Sequence, residues 1–230
     1  MTSLALRVRT EEQMDSPDLD PATYVQILAD LSRVNRWTLA AWPTLAFLRV
    51  CVGECKRLTV LDVGYGRGDM LRRIATWAQK RGKDAALFGV DLNARSLAAA
   101  EAETADFLID LRIGAYRELA GPFDCIISSL VAHHMDDAEL IEFIRYMEAN
   151  AARGWLINDL HRTQLAYRGY PLLARLLRVH RIVREDGTLS IARAFRPAEW
   201  HAVLAAAGVP PGAAKVVRRF PFRLCVERLR

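Results

Sequence analysis

Apolar and polar positions alternate along the chain in a pattern that predicts strands separated by helices. Short apolar runs bounded by turn residues predict strands over residues 58–63, 86–90, 107–113, 123–130 and 155–160. A closing pair of strands is expected around Pro221, over residues 216–219 and 222–227. Buried strands that alternate with amphipathic helices form a mostly parallel sheet covered on both faces. The pattern therefore predicts a doubly wound α/β fold, in which ligands bind at the carboxyl ends of the strands.

Helical spacing fills the intervals between these runs. A helix over residues 69–81 buries Leu71 and Ile74, and Gly82 can supply its left-handed cap. Further helices are expected from Asn93 to Thr104, from Asp136 or Asp137 to Gly154, over residues 164–179, and from Pro197 to Gly208.

The N-terminal fifty residues have a different character. Residues 22–52 repeat apolar side chains at helical spacing, and Pro43 is expected to divide them into two helices. Residues 1–20 are polar and contain Pro17, so we expect them to be poorly ordered. The aromatic residues of the two helices (Trp37, Trp42, Phe47), with Tyr167, Tyr170 and Leu173 after the fifth strand, either pack in the core or roof an apolar pocket.

The strongest chemical signal is a glycine-rich turn after the first predicted strand. Gly64, Gly66 and Gly68 alternate with Tyr65 and Arg67, and the predicted helix follows at once. Glycines at such a turn let a ligand approach the backbone closely. Asp91 ends the second strand, about 20 residues further on, where an acid that binds ribose hydroxyls is expected.

These segments carry a family resemblance. LDVGYGRGD at residues 61–69, FGVDLN at 88–93 and PFDCIISSLVAHHM at 122–135 resemble class I S-adenosylmethionine-dependent methyltransferases. They are most similar to the group that includes the ubiquinone and menaquinone biosynthesis methylases. The resemblance covers about residues 58–160. It implies a Rossmann-like sheet of seven strands, mostly parallel with an antiparallel last strand, and S-adenosylmethionine as the cofactor.

The resemblance also implies roles for particular positions. Gly64 to Gly68 would line the methionine half of the cofactor, with Asp62 beneath them placing its amino group. Asp91 would bind the ribose. The remaining cofactor contacts would be Leu92 on the adenine, and Ser129 and Leu130 beside the methionine end and the sulfonium.

Two positions depart from the family pattern. Tyr65 stands where a small residue or cysteine is usual, so the loop is bulkier. After the third strand the family often has Gly-Asp near the adenine amine, whereas this chain has Gly114-Ala115. Either that contact is lost, or Asp110 or Tyr116 replaces it; Ala115 and Tyr116 are therefore included among the cofactor-binding residues.

Three histidines follow the predicted strands at the active-site edge. His133 and His134 come after strand four and His161 after strand five, and each is a candidate base that takes a proton from a phenol or enol. His134 is slightly preferred. Positioning alone can also suffice for methyl transfer, in which case none of them is a base.

No metal site is predicted. Asn158 and Asp159 suggest the Mg²⁺ site of catechol-type O-methyltransferases, but strand four ends in Ser129-Leu130 with no matching acid. The four cysteines supply no zinc site with nearby histidines, and we interpret them as reduced thiols of a cytoplasmic protein. No apolar run is long enough for a membrane span, and no secretory signal is present.

The positive charge of the chain is concentrated in one segment. The net charge is +5, and residues 161–184 contain six arginines and no acid. Such a block either attracts an anionic partner or forms a solvated helix face. We expect no nucleic-acid partner, while a homodimer is compatible with the sequence.

The sequence thus predicts an N-terminal segment with cap helices over residues 1–52 and a methyltransferase domain over 53–230, with a helical substrate-cap insertion at about 161–195. The expected activity is S-adenosylmethionine-dependent methylation of a small molecule in secondary metabolism, with a phenolic, quinol or polyketide-like oxygen as the acceptor. Two alternatives stay open: an RNA or protein methyltransferase, and a non-catalytic homologue that binds the cofactor. A nicotinamide-dependent oxidoreductase is remoter, because the loop lacks the GxGxxG spacing.

Overall fold

A computed structural model describes residues 4–230 and shows strands alternating with helices from residue 57 onward. The strands are β1 (Arg57–Val63), β2 (Asp84–Asp91), β3 (Ile109–Ile113), β4 (Phe123–Ser129), β5 (Ala151–Leu160), β6 (Ala214–Arg219) and β7 (Arg223–Leu229). The helices are α1 (Pro21–Trp37), α2 (Ala41–Val52), α3 (Asp69–Gln79), α4 (Arg95–Thr104), α5 (Asp137–Asn150), α6 (Gln164–Leu176), α7 (Arg181–Arg193) and α8 (Pro197–Ala206).

All seven strands form one sheet in the order β3-β2-β1-β4-β5-β7-β6. The first five strands are parallel, and β7 runs antiparallel to both β5 and β6. The chain reverses its winding direction between β1 and β4, which is where doubly wound folds form a ligand crevice. The predicted Rossmann-like sheet with an antiparallel last strand is confirmed.

Helices cover both faces of the sheet, and each face has its own apolar core. On one face α5 and α8 pack Phe143 and Trp200 against Trp155 of β5. On the other face α2 and α3 pack Phe47 and Ile74 against β1 and its neighbours. The central strands are buried on both sides, which explains their nearly continuous apolar sequence.

Local signals fix most helix ends. Asp136 accepts a hydrogen bond from the Glu139 N–H, and Glu139 bonds back to the Asp136 N–H, so a capping box starts α5. Pro21 and Pro197 stand in the first turns of α1 and α8. The two predicted N-terminal helices are present, with the break at Thr38–Ala40 rather than at Pro43, which fits in the first turn of α2.

Two expectations were wrong. Gly154 does not end a helix: α5 stops at Asn150, and Gly154 lies inside β5, where a Cβ atom would strike the Arg228 carbonyl oxygen of β7. Residues 4–20 are not poorly ordered, since Leu4 and Glu12 are buried, while residues 1–3 lie outside the described part of the chain. Helix α7 lies within the predicted helical insertion, but no separate helix was predicted at its position.

Within residues 4–230, none of the helices has the length and apolar character that a membrane crossing requires.

Candidate active site

A cavity of about 810 Å³ opens at the carboxyl ends of β1, β2 and β4. The loops after these strands form its floor. Its walls come from elements distant in sequence: residues 12–15, α1, α6, α7 and residues 220–223. The volume lies in the range of ligand pockets in proteins, which hold small molecules and cofactors.

The glycine loop presents bare backbone to this cavity. Gly64 and Gly66 line it with φ angles of 82° and 53°, values in the left-handed region that favours glycine. No atom lies within 4 Å of where a Cβ of Gly66 would stand, so open space adjoins the main chain there. A ligand can therefore approach the loop without meeting a side chain at this position.

Asp91 holds the same loop in place. Its Oδ2 accepts a hydrogen bond of 2.8 Å from the Gly66 N–H, and Oδ1 accepts one of 2.9 Å from the Asn93 N–H. Burial raises the pKa of the Asp91 carboxyl, and these two backbone donors oppose that shift. Each oxygen keeps a further lone pair, so the carboxylate can still accept bonds from a ligand.

Asp62 lies beneath the loop with an unsatisfied oxygen. The residue is 1% exposed, and its Oδ1 has no hydrogen-bond partner within the described residues. Burial, with a smaller contribution from the Asp91 charge, raises the pKa of Asp62 to about 7. A buried carboxyl without a partner is costly unless a ligand satisfies it.

Leu92, Tyr116 and Tyr24 bring apolar and aromatic side chains to the cavity. All three line it, and Leu92 is 80% exposed. The Tyr24 hydroxyl of α1 lies 3.0 Å from Ser96 Oγ and accepts a hydrogen bond from Asn93 Nδ2.

The predicted cofactor residues are brought together, with two exceptions. Asp62, Gly64, Tyr65, Gly66, Asp91, Leu92, Tyr116, Ser129 and Leu130 all line the cavity. Gly68 does not, because it precedes α3 with its Cα against Thr104 and Ala100. Ala115 does not line the cavity either, and Asp110 is bound by Arg112. Of the residues considered for the adenine contact after β3, only Tyr116 lines the cavity.

Leu130 adopts a backbone conformation that is rare for a branched side chain. Its φ is 64°, and its N–H is bound by the Asn158 carbonyl of β5. Such strain persists where the surrounding structure enforces it, and it concentrates at functional sites. It aims the turn after β4 so that Leu130, Val131, His133 and His134 all line the cavity.

His133 and Asp159 form a buried pair across the ends of β4 and β5. His133 Nδ1 lies 2.7 Å from Asp159 Oδ1, and the His133 N–H donates to Oδ2 at 2.8 Å. Burial alone would raise the pKa of Asp159, but the His133 ring and the backbone donors outweigh it and hold the pKa below its usual value. The ionised carboxylate requires Nδ1 of His133 to be the donor, so that Nε2 is the acceptor in the neutral ring.

His134 lies beside His133, with ring centroids 4.3 Å apart. Its Nδ1 lies 3.4 Å from Asp15 Oδ2, and both rings turn Nε2 toward the buried Glu12. Arg193 binds the His133 and His134 carbonyl oxygens, and Arg7 binds the Met135 carbonyl. Sequence reasoning missed Glu12 and Asp15, since both lie in the polar N-terminal segment.

His161, the third candidate, lies away from the cavity. It is not among the lining residues, and its N–H binds the Phe222 carbonyl. Burial, followed by the charges of Arg218, Arg196 and Arg162, lowers the pKa of its ring. The geometry gives His161 no role at the cavity.

The side chains after β5 are already bound. Asn158 donates to the Ala40 carbonyl and to Thr44 Oγ1, which ties α2 to the sheet, while Asp159 is held by His133. The two residues therefore do not present a free pair of oxygens for Mg²⁺.

Of the residues expected either to pack in the core or to cover a pocket, Trp37, Tyr170 and Leu173 line the cavity, whereas Phe47 packs in the core.

Comparisons with known proteins agree with this geometry. Residues 60–154 match the profile of a family described as a methyltransferase domain. It spans the glycine loop, Asp91 and both cavity histidines. No curated protein matches the sequence.

Solved structures share the fold at low sequence identity. A plantazolicin methyltransferase with bound S-adenosylhomocysteine is 14% identical with a TM-score of 0.65, over 90% of this chain and 91% of that one. A magnesium protoporphyrin IX methyltransferase from Synechocystis PCC 6803, also with S-adenosylhomocysteine, is 16% identical with a TM-score of 0.56 (95% and 91%). An S-adenosylmethionine-dependent methyltransferase from Aquifex aeolicus is 16% identical with a TM-score of 0.61 (92% and 99%).

Proposed function

We propose that this protein is an S-adenosylmethionine-dependent methyltransferase that methylates an oxygen of a small molecule. The observation that carries the proposal is the cavity itself, which is lined by the glycine loop, Asp62, Asp91 and His133, the last of these bound by Asp159. Its motifs are similar to those of the quinone-biosynthesis methylase group. A phenolic, quinol or polyketide-like acceptor is the class that we propose.

The residues present fit the cofactor. The ionised form of Asp62 offers its unsatisfied oxygen to the amino group, Asp91 offers free lone pairs to the ribose hydroxyls, and Leu92 with Tyr116 offers apolar surface to the adenine. The bound cofactor supplies an electrophilic methyl group on a sulfonium. The neighbouring solved structures that hold S-adenosylhomocysteine support the same choice.

The histidines in the cavity favour methylation of an oxygen atom. His133 is held by Asp159 with Nε2 as a proton acceptor, so it can take the proton of a hydroxyl while the oxygen attacks the methyl carbon. The proton passes to Nε2, and the electron pair of the breaking carbon–sulfur bond stays on sulfur. This arrangement supports His133 over His134 as the base, because the partner of His134 is more distant and more exposed.

A nucleic-acid substrate has less support in the structure than in the sequence. The arginine block of residues 161–184 is not wholly on the surface: Arg162 is buried and bound to Glu199 and to backbone carbonyls, whereas the other five arginines are exposed or half-buried. The cavity is a pocket of about 810 Å³ that is bounded by α1, α6 and α7, a volume that suits a small molecule. A small acceptor suits it better than a polymer.

Calorimetric titration with S-adenosylhomocysteine tests the cofactor assignment, with NAD as the control ligand. We expect micromolar binding of the first and none of the second. Absence of S-adenosylhomocysteine binding would contradict the proposal, whereas binding without turnover would favour the non-catalytic alternative. With binding established, a screen of phenolic compounds with labelled cofactor identifies the acceptor.

Replacing Asp91 with alanine should weaken S-adenosylhomocysteine binding by about 1–3 kcal/mol, the scale for losing hydrogen bonds to a charged group. The matched control is Asp106→Ala, which removes an exposed carboxylate at the end of α4. The same titration measures both variants. Equal affinity of Asp91→Ala and the control would exclude a ribose contact.

Cofactor affinity should depend on pH through Asp62. Because its pKa is about 7, the carboxyl is increasingly protonated below pH 7 and loses its attraction for an ammonium group. Affinity should therefore rise by about tenfold per pH unit from pH 5 to pH 7 and then level off. The ligand-free protein should behave oppositely and lose stability as pH rises toward 7, because its folded state retains a proton that the unfolded chain releases. Asp62→Asn should abolish both dependences; their persistence in that variant would refute the assignment.

A further inference from the structure

Three potential metal ligands meet at one point of the cavity wall. Nε2 of His133 lies 3.7 Å and Nε2 of His134 lies 3.9 Å from the same oxygen, Oε1 of Glu12. The three atoms all lie within 4.8 Å of one another. Nitrogen and oxygen ligands at about 2.0–2.2 Å from Zn²⁺ lie about 3.3 Å apart in a tetrahedral site. The side chains need to move inward by only roughly half an ångström to hold one ion.

Both imidazoles are oriented by acids on their other nitrogen. Asp159 binds Nδ1 of His133 at 2.7 Å, and Asp15 lies 3.4 Å from Nδ1 of His134. Ser190 Oγ donates to Oε1 of Glu12 at 2.7 Å, so the third ligand is also held. A carboxylate on the far nitrogen is the usual partner of a metal-binding histidine, since it fixes the tautomer that leaves Nε2 free.

The electrostatics of the cluster call for a cation. With Nδ1 of His133 donating to Asp159, the Nε2 lone pair faces the Glu12 carboxylate, and His134 repeats the arrangement. Glu12 and His133 are almost fully buried, with side chains 3% exposed, so water does not screen the repulsion between the Nε2 lone pair and the carboxylate. Three carboxylates surround the two rings, and the charge of Arg193 stabilises the ionised forms of Glu12 and Asp15. Arg193 binds backbone carbonyl oxygens rather than the three ligand atoms, so a proton or a metal ion between those atoms would offset their remaining repulsion.

We propose that Glu12, His133 and His134 form a binding site for one divalent first-row metal ion, Zn²⁺ foremost. Two imidazoles and one carboxylate, with the remaining position open to a cavity, are typical of catalytic rather than structural zinc sites. The ligand set disfavours Mg²⁺, which prefers oxygen ligands. This differs from the sequence expectation, which considered acids after the strands and the four cysteines as ligands and predicted no metal.

The ion would act on the acceptor. This role rests on the proposed function, whereas the metal site itself is independent of that function. A hydroxyl oxygen in the open position loses its proton to solvent more readily, because the cation stabilises the oxyanion. The oxygen lone pair then forms the bond to the methyl carbon as the carbon–sulfur bond breaks toward sulfur. In this case the metal replaces the histidine as the agent that activates the oxygen.

Metal binding by the purified protein tests the proposal directly. The chelator-stripped protein is titrated with Zn²⁺ and with Co²⁺, and Mg²⁺ serves as the control ion. The variants are Glu12→Gln and His134→Gln, with Glu11→Gln as the matched control, since Glu11 is the exposed neighbour of Glu12. Asp15→Asn removes the carboxylate that lies beside Nδ1 of His134. Circular dichroism and S-adenosylhomocysteine titration on the same preparations show that each variant is folded.

We expect one equivalent of Zn²⁺ in the wild-type protein and in Glu11→Gln. Asp15→Asn should lose about 10–100-fold in affinity, and the two ligand variants at least as much. Bound Co²⁺ should show visible bands without a thiolate charge-transfer band. No binding to wild type, equal binding to Glu12→Gln, or a thiolate band from the cysteines would each overturn the proposal. Binding of S-adenosylhomocysteine separates these failures from a failure of the proposed function.

Discussion

Replacing Asp159 by asparagine should lower the rate of methyl transfer by about 10²–10⁴-fold, the usual contribution of a positioned proton acceptor. The carboxylate binds Nδ1 and the backbone N–H of His133, and it lies outside the set of residues that line the cavity. An amide can donate to Nδ1 instead, which reverses the tautomer and leaves Nε2 carrying a proton. The affinity for S-adenosylhomocysteine should change little, since Asp159 does not reach the cofactor region.

The measurement compares turnover and cofactor affinity on the acceptor that the phenolic screen identifies. Asp106→Asn is the control, because it makes the same chemical change at an exposed site. A thermal melt is needed alongside, since Asp159 is also the acid that supports the buried Arg223 charge. Turnover within tenfold of wild type in a folded Asp159→Asn protein would exclude the His133–Asp159 pair from the reaction.

Replacing Arg162 by methionine should destabilise the protein by about 1–3 kcal/mol, the usual cost of leaving a buried hydrogen-bonding group without its partner, since Glu199 is 34% exposed and can be solvated. The Arg162 side chain is fully buried. It binds Glu199 at 2.5 Å and donates to the Leu4 and Ala194 carbonyls, so it links the N-terminal segment, α8 and the turn after α7. Methionine fills similar volume but leaves these acceptors without a donor.

Chemical denaturation measures the loss, and Arg168→Met provides the control. Arg168 belongs to the same arginine-rich block but is exposed on α6, so its replacement should cost no more than about 0.5 kcal/mol. Equal midpoints for the two variants would mean that the Arg162 contacts contribute nothing to stability.

The sheet was predictable because its signals are local. Each parallel strand is a short apolar run, and the loop, cap and helix that follow it are adjacent in sequence, as in Val63, Gly64 and Asp69. The Asp136 capping box was visible for the same reason. Helix α7 escaped prediction because Gly187 and Asp186 interrupt its pattern: Gly187 faces Tyr170, and Asp186 is buried by bonds to Gln13 and Met14.

The cavity lining around the glycine loop could largely be predicted from the sequence, whereas the surroundings of the histidines could not. Gly64, Gly66 and Asp91 come from neighbouring strand ends, and parallel strands bring such ends to one edge of a sheet. His133 and His134 could be named as candidates, but their partners could not be paired with them. Gly68 and Ala115 were assigned cofactor contacts from the family resemblance, but neither lines the cavity. A role assigned from the position in a motif can therefore fail at individual residues of a loop.

The sequence by itself determined the doubly wound sheet, the glycine loop and the acid after β2, because each depends on contacts between residues close in the chain or at adjacent strand ends. Only the tertiary structure decided that Glu12 and Asp15 join the histidines, that Arg162 is buried and that His161 is excluded. Glu12 meets His133 through the packing of the N-terminal segment on α7, where Ser190 holds it. Such a meeting depends on the packing of the whole chain, and no periodicity or local motif records it.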